Sequence, residues 1–452
     1  MKSVNYLLAM AIFSTLITIS LWADPGAEVD RRVGDKLEKS WASLLHDYQF
    51  NPQQQSFCVG GGSGEVIGSE VDRKVRLASV SKLITSYWAI SKLGSGHRFA
   101  TNIYYHDGQL HLQGGDDPLL AKRKIFFLVS QLNNWGITNL KRITFDSRIK
   151  VFAAAEDYLG TVLTVTKSRT RVNLKDFFDR SNWNKLKASY NSFIASLPAS
   201  LIDQLHMVRD LELLELKVGK VEFSQSNPLA DHPKTERYLH LSSLLSRYLK
   251  FMNIVSNNFV ADQIFGQLGG EQEFDKFINK FMLQHFPNYQ AQRVGFKQDD
   301  RSIKLYTGSG LNSRQQERRV DNYATCRVIV KIVEQLRELL DTQGRDIWQL
   351  VAVPGADGGT FRQRLRSPRL AKLMVAKTGT LYHTSALAGM LSTGEGDRYF
   401  GIFHQKDWGA ASAKIIQNKM VVKMVDTFTP GSRFNYTPKF FFPADTPLLP
   451  VK

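Results

Sequence analysis

Apolar residues recur with the period of a buried helix face at Val33, Leu37, Trp41, Leu44 and Leu45, which predicts a helix over 27–47. The stretch 56–68 breaks that period with Gly60, Gly61, Gly62 and Gly64 and reads as extended chain. From Ser79 a second helical face runs through Leu83, Tyr87 and Ile90, with Ile84 and Trp88 beside it, until Gly94 and Gly96 stop it. Between Phe99 and Phe152 the pattern shortens to strand-length runs separated by turn residues, with a helix near 124–134 and a strand over 142–146. Residues 155–235 hold a helical stretch rich in Asn, Lys and Phe, whose topology the pattern leaves open. Helical spacing returns over 240–253, 258–268, 272–284 and 319–341. Three apolar runs at 373–380, 384–393 and 398–404 follow closely enough to pair as antiparallel strands. A helix over 411–427 and a tail rich in Pro and Phe complete the chain, and no internal repeat is visible.

Composition fits a folded protein of more than one domain: 452 residues, 43% hydrophobic and 22% charged. Disorder and collagen are excluded. The net charge of +17 calls for an anionic partner, whether nucleic acid, acidic lipid or wall polymer. The first 23 residues narrow that choice, because Lys2, an uncharged apolar stretch from Tyr6 to Trp22, and Ala23 ahead of Asp24 and Pro25 read as a signal peptide. An uncleaved N-terminal anchor is the alternative; with the leader cleaved, no transmembrane anchor remains. Export argues against nucleic acid as partner. Cys58 and Cys326 are the only cysteines, so one disulfide is open to the chain and a Cys-rich zinc site is not. With no HxH or HExxH, neither a metal nor any other cofactor is expected.

Two SxxK matches, Ser79 to Lys82 and Ser147 to Lys150, are about the number chance supplies at this length. Context separates them. Ser79 opens an amphipathic helix, so Lys82 lies one turn on and on the same face, where a neutral amine can take the hydroxyl proton. Alone, Ser79 would read as a helix cap. Ser147 follows a strand and reads as a turn residue. SNN at Ser256, Asn257 and Asn258 falls in a turn between helices, and KTGT at Lys377, Thr378, Gly379 and Thr380 falls on a strand. A second hydroxyl, Ser256, can pass a proton to a departing amine, and Asn258 can orient Lys82. Lys377 and Thr378 offer a cation and a hydroxyl to a carboxylate, while Gly379 lets an extended peptide approach as an added strand.

With these motifs and the segments HRFATNIYYHDGQLHLQGGDDPLL, SNNFVADQIFGQLGG, TGSGLNSR and PGADGGTFRQRLRSPRLAKLMVAKTGTLYHTSALAGMLST, the chain resembles the low-molecular-weight penicillin-binding proteins of the D-alanyl-D-alanine carboxypeptidase/endopeptidase type, peptidase family S13. The resemblance implies an α/β (α+β) fold: a β-lactamase-like transpeptidase domain with an antiparallel sheet and helical lobe, in two parts at 24–98 and 236–452, interrupted by a smaller subdomain at 99–235. It implies that Ser79 forms an acyl-enzyme with Lys82 as base and that Ser256 and Asn258 complete the proton relay. Lys377 and Thr378 would hold the substrate carboxylate, and the backbone N–H groups of Ser79 and Thr380 would form the oxyanion hole. Peptidoglycan peptides are then the substrate, β-lactams the covalent inhibitors, and the periplasm or cell exterior the location. Two departures stand out. Thr307 occupies a position where Asp is usual and Asn312 is added, so no catalytic role is assigned there. The spacing from Ser79 to Ser256 is short and the usual Trp and Pro pattern after Phe152 is missing, which implies a reduced or replaced inserted subdomain.

The expected activity is that of a serine DD-peptidase, cutting after D-Ala in cross-links as endopeptidase and at pentapeptide ends as carboxypeptidase. One rival is a β-lactamase of the same fold, which needs a water-activating base that no ExxxN-type loop after SNN supplies. The other is a non-catalytic wall-binding protein, against which the complete set of acylation side chains argues.

Overall fold

Five antiparallel strands in the order Met374–Leu381, Thr384–Thr393, Gly396–Gln405, Gln55–Gly60 and Ile67–Ser69 form the central sheet. The three apolar runs near the C-terminus are thus neighbours, as their short connections require, and the N-terminal strand adds to them across the whole chain. Both faces are covered, which is why the runs read as continuously apolar. Met374, Ala376, Leu387 and Ile402 face the helices Pro25–Asp47 and Ala411–Thr427, and Val375, Ala386, Ala388 and Phe403 face the helical lobe. The computed structural model describes residues 25–61, 65–155, 165–286, 288, 301–405 and 411–451; the expected signal peptide at 1–23 lies outside them. Among the described residues, no helix is long and apolar enough to cross a membrane.

The lobe is built on Ser81–Leu93 and Cys326–Thr342, with Leu245–Val255, Asn258–Gln267 and Gly270–His285 packed around them. Trp88 is its aromatic centre, with the rings of Phe265, Phe274 and Phe277 5.4–5.9 Å away. Truncating so large a buried ring to Ala costs about 3–5 kcal/mol. Cys58 and Cys326 form a disulfide that ties the N-terminal sheet strand to the start of the long lobe helix.

A second, six-stranded sheet has the order Leu449–Val451, Glu236–Leu241, Ala100–His106, Gln109–Gln113, Asn139–Phe145 and Lys217–Phe223. Its last two pairings are parallel. The helix Lys122–Asn134 makes one parallel crossover; Lys167–Phe178, Lys187–Ser196 and Ala199–Gln204 occupy the other, in the stretch whose topology the pattern left open. This sheet extends beyond 99–235, recruiting residues 236–241 and the end of the tail, where Phe442, Ala444 and Leu448 join its core.

Two expected helices are shorter than their apolar spacing suggested. Residues 236–241 are strand, because Tyr238 and His240 alternate as buried positions with more exposed neighbours. The expected helix over 319–341 begins only at Cys326, since Arg318–Val320 and Tyr323–Thr325 pair as strands. There Thr325 caps the helix by accepting the Val328 N–H at 3.3 Å.

Candidate active site

Ser79 lies not at the first helical residue but in the 3-10 turn Ala78–Val80 that leads into Ser81–Leu93. The preceding Ala78 has φ +46°, a left-handed conformation costly for a residue with a Cβ. That turn leaves the Ser79 side chain half-exposed, while Lys82 beneath it is fully buried. Lys82 Nζ donates to Ser79 Oγ at 3.0 Å, to Asn258 Oδ1 at 2.7 Å and to the Ser309 carbonyl at 2.9 Å. Three acceptors fix the amine, and burial lowers its pKa from 10.5 to about 7, against the opposing pull of Asp262. An amine neutral near pH 7 and within hydrogen-bond reach of a half-exposed hydroxyl is equipped to remove its proton.

The SNN tripeptide divides its work. Ser256 ends Leu245–Val255 in a left-handed conformation, φ +58° and ψ +39°, which turns its hydroxyl back to the site. Asn257 caps the next helix by accepting the Val260 N–H at 2.8 Å, and its amide donates to the Ala155 carbonyl at 2.7 Å. Asn258, first residue of that helix, reaches Lys82. Across the cleft, Lys377 Nζ donates to Ser256 Oγ at 2.9 Å and to the Thr378 carbonyl at 2.8 Å. Lys377 is fully buried, and burial first, then the charge of Lys82, hold its pKa well below the usual lysine value.

Thr378 and Gly379 are buried on the same strand, and Thr380 is exposed. A Cβ on Gly379 would lie 2.6 Å from the Leu77 carbonyl and 3.0 Å from the Ser79 backbone nitrogen. The bare glycine therefore admits the nucleophile's own turn, a use that the expectation of an approaching peptide did not include. Ser147 sits in a turn remote from these contacts, after the strand Asn139–Phe145.

The sequence reading gave residues 307–312 no catalytic part, yet this loop is the site's third wall. Gly310, at φ +80°, packs so closely that a Cβ there would come within 1.8 Å of the Ala78 carbonyl. The Thr307 hydroxyl accepts the Gly310 N–H at 3.2 Å and donates to the Leu311 carbonyl at 2.9 Å, closing the turn. Asp262 was also missed. It accepts the Ser309 N–H at 2.8 Å, aiming that residue's carbonyl at Lys82. Burial raises Asp262 to about 6, against the Ser309 N–H and the charge of Lys82, so the two groups titrate as a pair. Its position, four residues after Asn258 and thus one turn along the same helix, was the available signal. No group of three or more His, Cys, Asp or Glu placed to hold a metal ion occurs among the described residues.

Similar solved structures carry the same fold. Bd3459, a predatory peptidoglycan endopeptidase from Bdellovibrio bacteriovorus, is 25% identical with a TM-score of 0.71, over 88% of this chain and 98% of that one. Bd0816, a predatory endopeptidase of the same organism in complex with immunity protein Bd3460, is 26% identical with a TM-score of 0.69, over 86% and 98%. Penicillin binding protein 4 from Haemophilus influenzae shares the fold at 18% identity and a TM-score of 0.51, over 85% and 99%. No curated protein sequence matches. The family model of the D-Ala-D-Ala carboxypeptidase 3 (S13) family matches residues 51–156 and 212–426, a span that takes in the Ser79 turn, SNN, the 307–312 loop and KTGT. With most of its length and every motif of the cleft inside that match, the chain belongs to the S13 family and is a serine DD-peptidase.

Proposed function

We propose that the chain cleaves peptidoglycan cross-links as a DD-endopeptidase and removes terminal D-Ala as a DD-carboxypeptidase, in the periplasm or outside the cell, through an acyl-enzyme on Ser79. Lys82 takes the Ser79 proton as Oγ attacks the carbonyl carbon of D-Ala, and the backbone N–H groups of Ser79 and Thr380 receive the developing oxyanion. The C–N bond then breaks, and Ser256, held by Lys377, passes its proton to the departing amine and takes in its place the one that Lys82 had removed from Ser79, leaving Lys82 neutral for deacylation. Asn258 keeps Lys82 aimed, and Lys377 with Thr378 attracts the carboxylate of the leaving residue. Water hydrolyses the ester and restores Ser79.

The observation that carries this reading is the buried Lys82 amine, lowered to about 7, 3.0 Å from Ser79 Oγ. Similarity to Bd3459, a peptidoglycan endopeptidase that is acylated by penicillin G, supports both a peptidoglycan substrate and a route through an acyl-enzyme. The test is intact mass after penicillin G treatment, followed by peptide mapping and by incubation with a cross-linked tetrapeptide dimer and a monomeric pentapeptide. One drug on Ser79, no adduct in Ser79→Ala, and cleavage of both peptides are expected. An adduct elsewhere removes Ser79 as nucleophile. Release of terminal D-Ala with the dimer left intact removes the endopeptidase activity.

A further inference from the structure

Ser256 keeps a left-handed backbone that a residue with a Cβ holds only when its surroundings enforce it. Residues 348–359 supply that enforcement. On one side they grip the last two turns of the helix Leu245–Val255, which ends at Ser256. Lys250 Nζ donates to the carbonyls of Trp348 and Val351, each at 2.8 Å, and the Asn253 amide donates to the Leu350 carbonyl at 3.0 Å. Three positions apart, these two side chains share a helix face. One residue on, Gly359 packs so closely that a Cβ there, at φ +58°, would come within 2.1 Å of the Ile254 carbonyl. On the other side, the Ala352 carbonyl accepts the N–H of Ala376, the neighbour of Lys377, at 2.9 Å. The segment thus joins the element that carries Ser256 to the one that carries Lys377.

Asp357 fastens the segment from within. Its Oδ2 accepts from Lys250 Nζ at 2.6 Å and from the Val353 N–H at 2.7 Å, and its Oδ1 accepts from the Tyr436 hydroxyl at 2.6 Å. The Asp357 side chain is 2% exposed and that of Lys250 12%. Desolvation takes back much of what such a buried pair gains by Coulomb attraction, whereas its charge-assisted bonds fix direction and distance. Tyr436 belongs to the tail, past residue 426 where the family match ends. The tail is itself seated on the segment and its surroundings: Phe434 stacks on Trp348 with ring centroids 4.7 Å apart, and its N–H donates to the Lys372 carbonyl at 2.7 Å.

We propose that Asp357 is a positioning residue for Ser256: with Lys250 and the tail's Tyr436 it locks residues 348–359 between the Ser256 helix and the Lys377 strand, and so sets the 2.9 Å hydrogen bond from Lys377 to Ser256. All three act through the backbone they hold. Loosening the lock lets Ser256 leave its left-handed conformation and lengthens the path of its proton to the departing amine. Ser79 and Lys82 stand on a different helix and keep their own contact. The tail is then part of the frame of the cleft. The inference rests on proton delivery by Ser256, proposed above.

The test is kcat and KM, on the better cleaved of the cross-linked dimer and the pentapeptide, for Asp357→Asn, Ser256→Ala and the two combined. Loss of Asp357 alone leaves Lys250 buried without its counter-charge, so Lys250→Met with Asp357→Asn, which removes both charges, is measured alongside and answers if the single variant does not fold. Either change is expected to lower kcat about tenfold with KM unchanged, less than the roughly hundredfold that a 1 Å misplacement can cost. In the Ser256→Ala background Asp357→Asn costs no further kcat, because both act through one hydroxyl. The pH midpoint of penicillin acylation, which reports Lys82, stays near 7, whereas general loosening would hydrate Lys82 and raise it. Parental kcat in the variant lacking both charges, losses that multiply in the Ser256→Ala background, or a raised midpoint overturns the positioning role. Parental kcat in Ser256→Ala alone is read separately: it strikes the proton relay of the proposed function, and with it the inference that rests on that relay.

Discussion

The acid limb of acylation tests the role of Lys82, and Asp262 supplies the perturbation. Only neutral Lys82 can take the Ser79 proton, and burial sets its pKa at about 7. The second-order rate of acylation by a fluorescent penicillin should therefore be half-maximal near pH 7 and fall about tenfold for each unit below, reaching about a hundredfold below its plateau at pH 5. Asp262 opposes burial by stabilising the charged amine. Asp262→Asn removes that charge and keeps an oxygen for the Ser309 N–H, so Lys82 loses its proton more readily and the midpoint moves to lower pH. Stated as a sign, the variant is relatively faster than the parent in acid and equal to it on the plateau above pH 8. A plateau retained within a few-fold shows that the loop still holds. A midpoint that stays put or moves upward in the variant, or a parental midpoint above pH 9, refutes the assignment of Lys82 as the buried base.

Gly310→Ala forces a Cβ against the Ala78 carbonyl at a positive φ, and should cost at least about 3 kcal/mol in urea unfolding or abolish penicillin labelling; a variant with parental stability and labelling shows that the 307–312 loop is not wedged against the nucleophile. Replacing Cys58 and Cys326 together by Ser removes a crosslink between residues 268 positions apart, worth up to about 5 kcal/mol by chain entropy; unfolding midpoints equal with and without the bond would contradict it. Added salt should weaken binding to insoluble wall much more than it slows cleavage of a small soluble dimer, because screening acts on the long-range attraction of a +17 chain; equal effects on both would place that charge outside recognition.

The sheet and lobe were legible because they follow from periodicity. The C-terminal strands, the Ser81–Leu93 helix and the long helices around it announce themselves by burial on one face or two. Where helical spacing misled, at 240–241 and 319–325, tertiary strand pairing prevailed over helical period. Ser79, Lys82, Ser256, Asn258 and Lys377 could be named from three short motifs, and the fold brings Lys82 within hydrogen-bond reach of Ser79 and Asn258, and Lys377 within reach of Ser256. What local pattern could not carry is backbone handedness and through-space partnership. Nothing in RLASVSK marks Ala78 as left-handed, and nothing in TGSGL reveals that the Ser309 carbonyl grips Lys82. Asp262 was hidden for the same reason. An acid on a helix face has meaning only once its neighbours are known.

The bridge between Cys58 and Cys326 reaches beyond stability. Two cysteines allow a single intramolecular pairing, so oxidation has no wrong partner within the chain, and its one competing product joins two molecules. The closed loop also contains Ser79 and Ser256 but not Lys377. A single backbone cut anywhere between the two cysteines yields fragments that stay covalently joined. Ser79 remains tethered to Lys377 after any such cut, so a molecule nicked within the loop keeps both walls of its cleft on one covalent assembly until the disulfide is reduced.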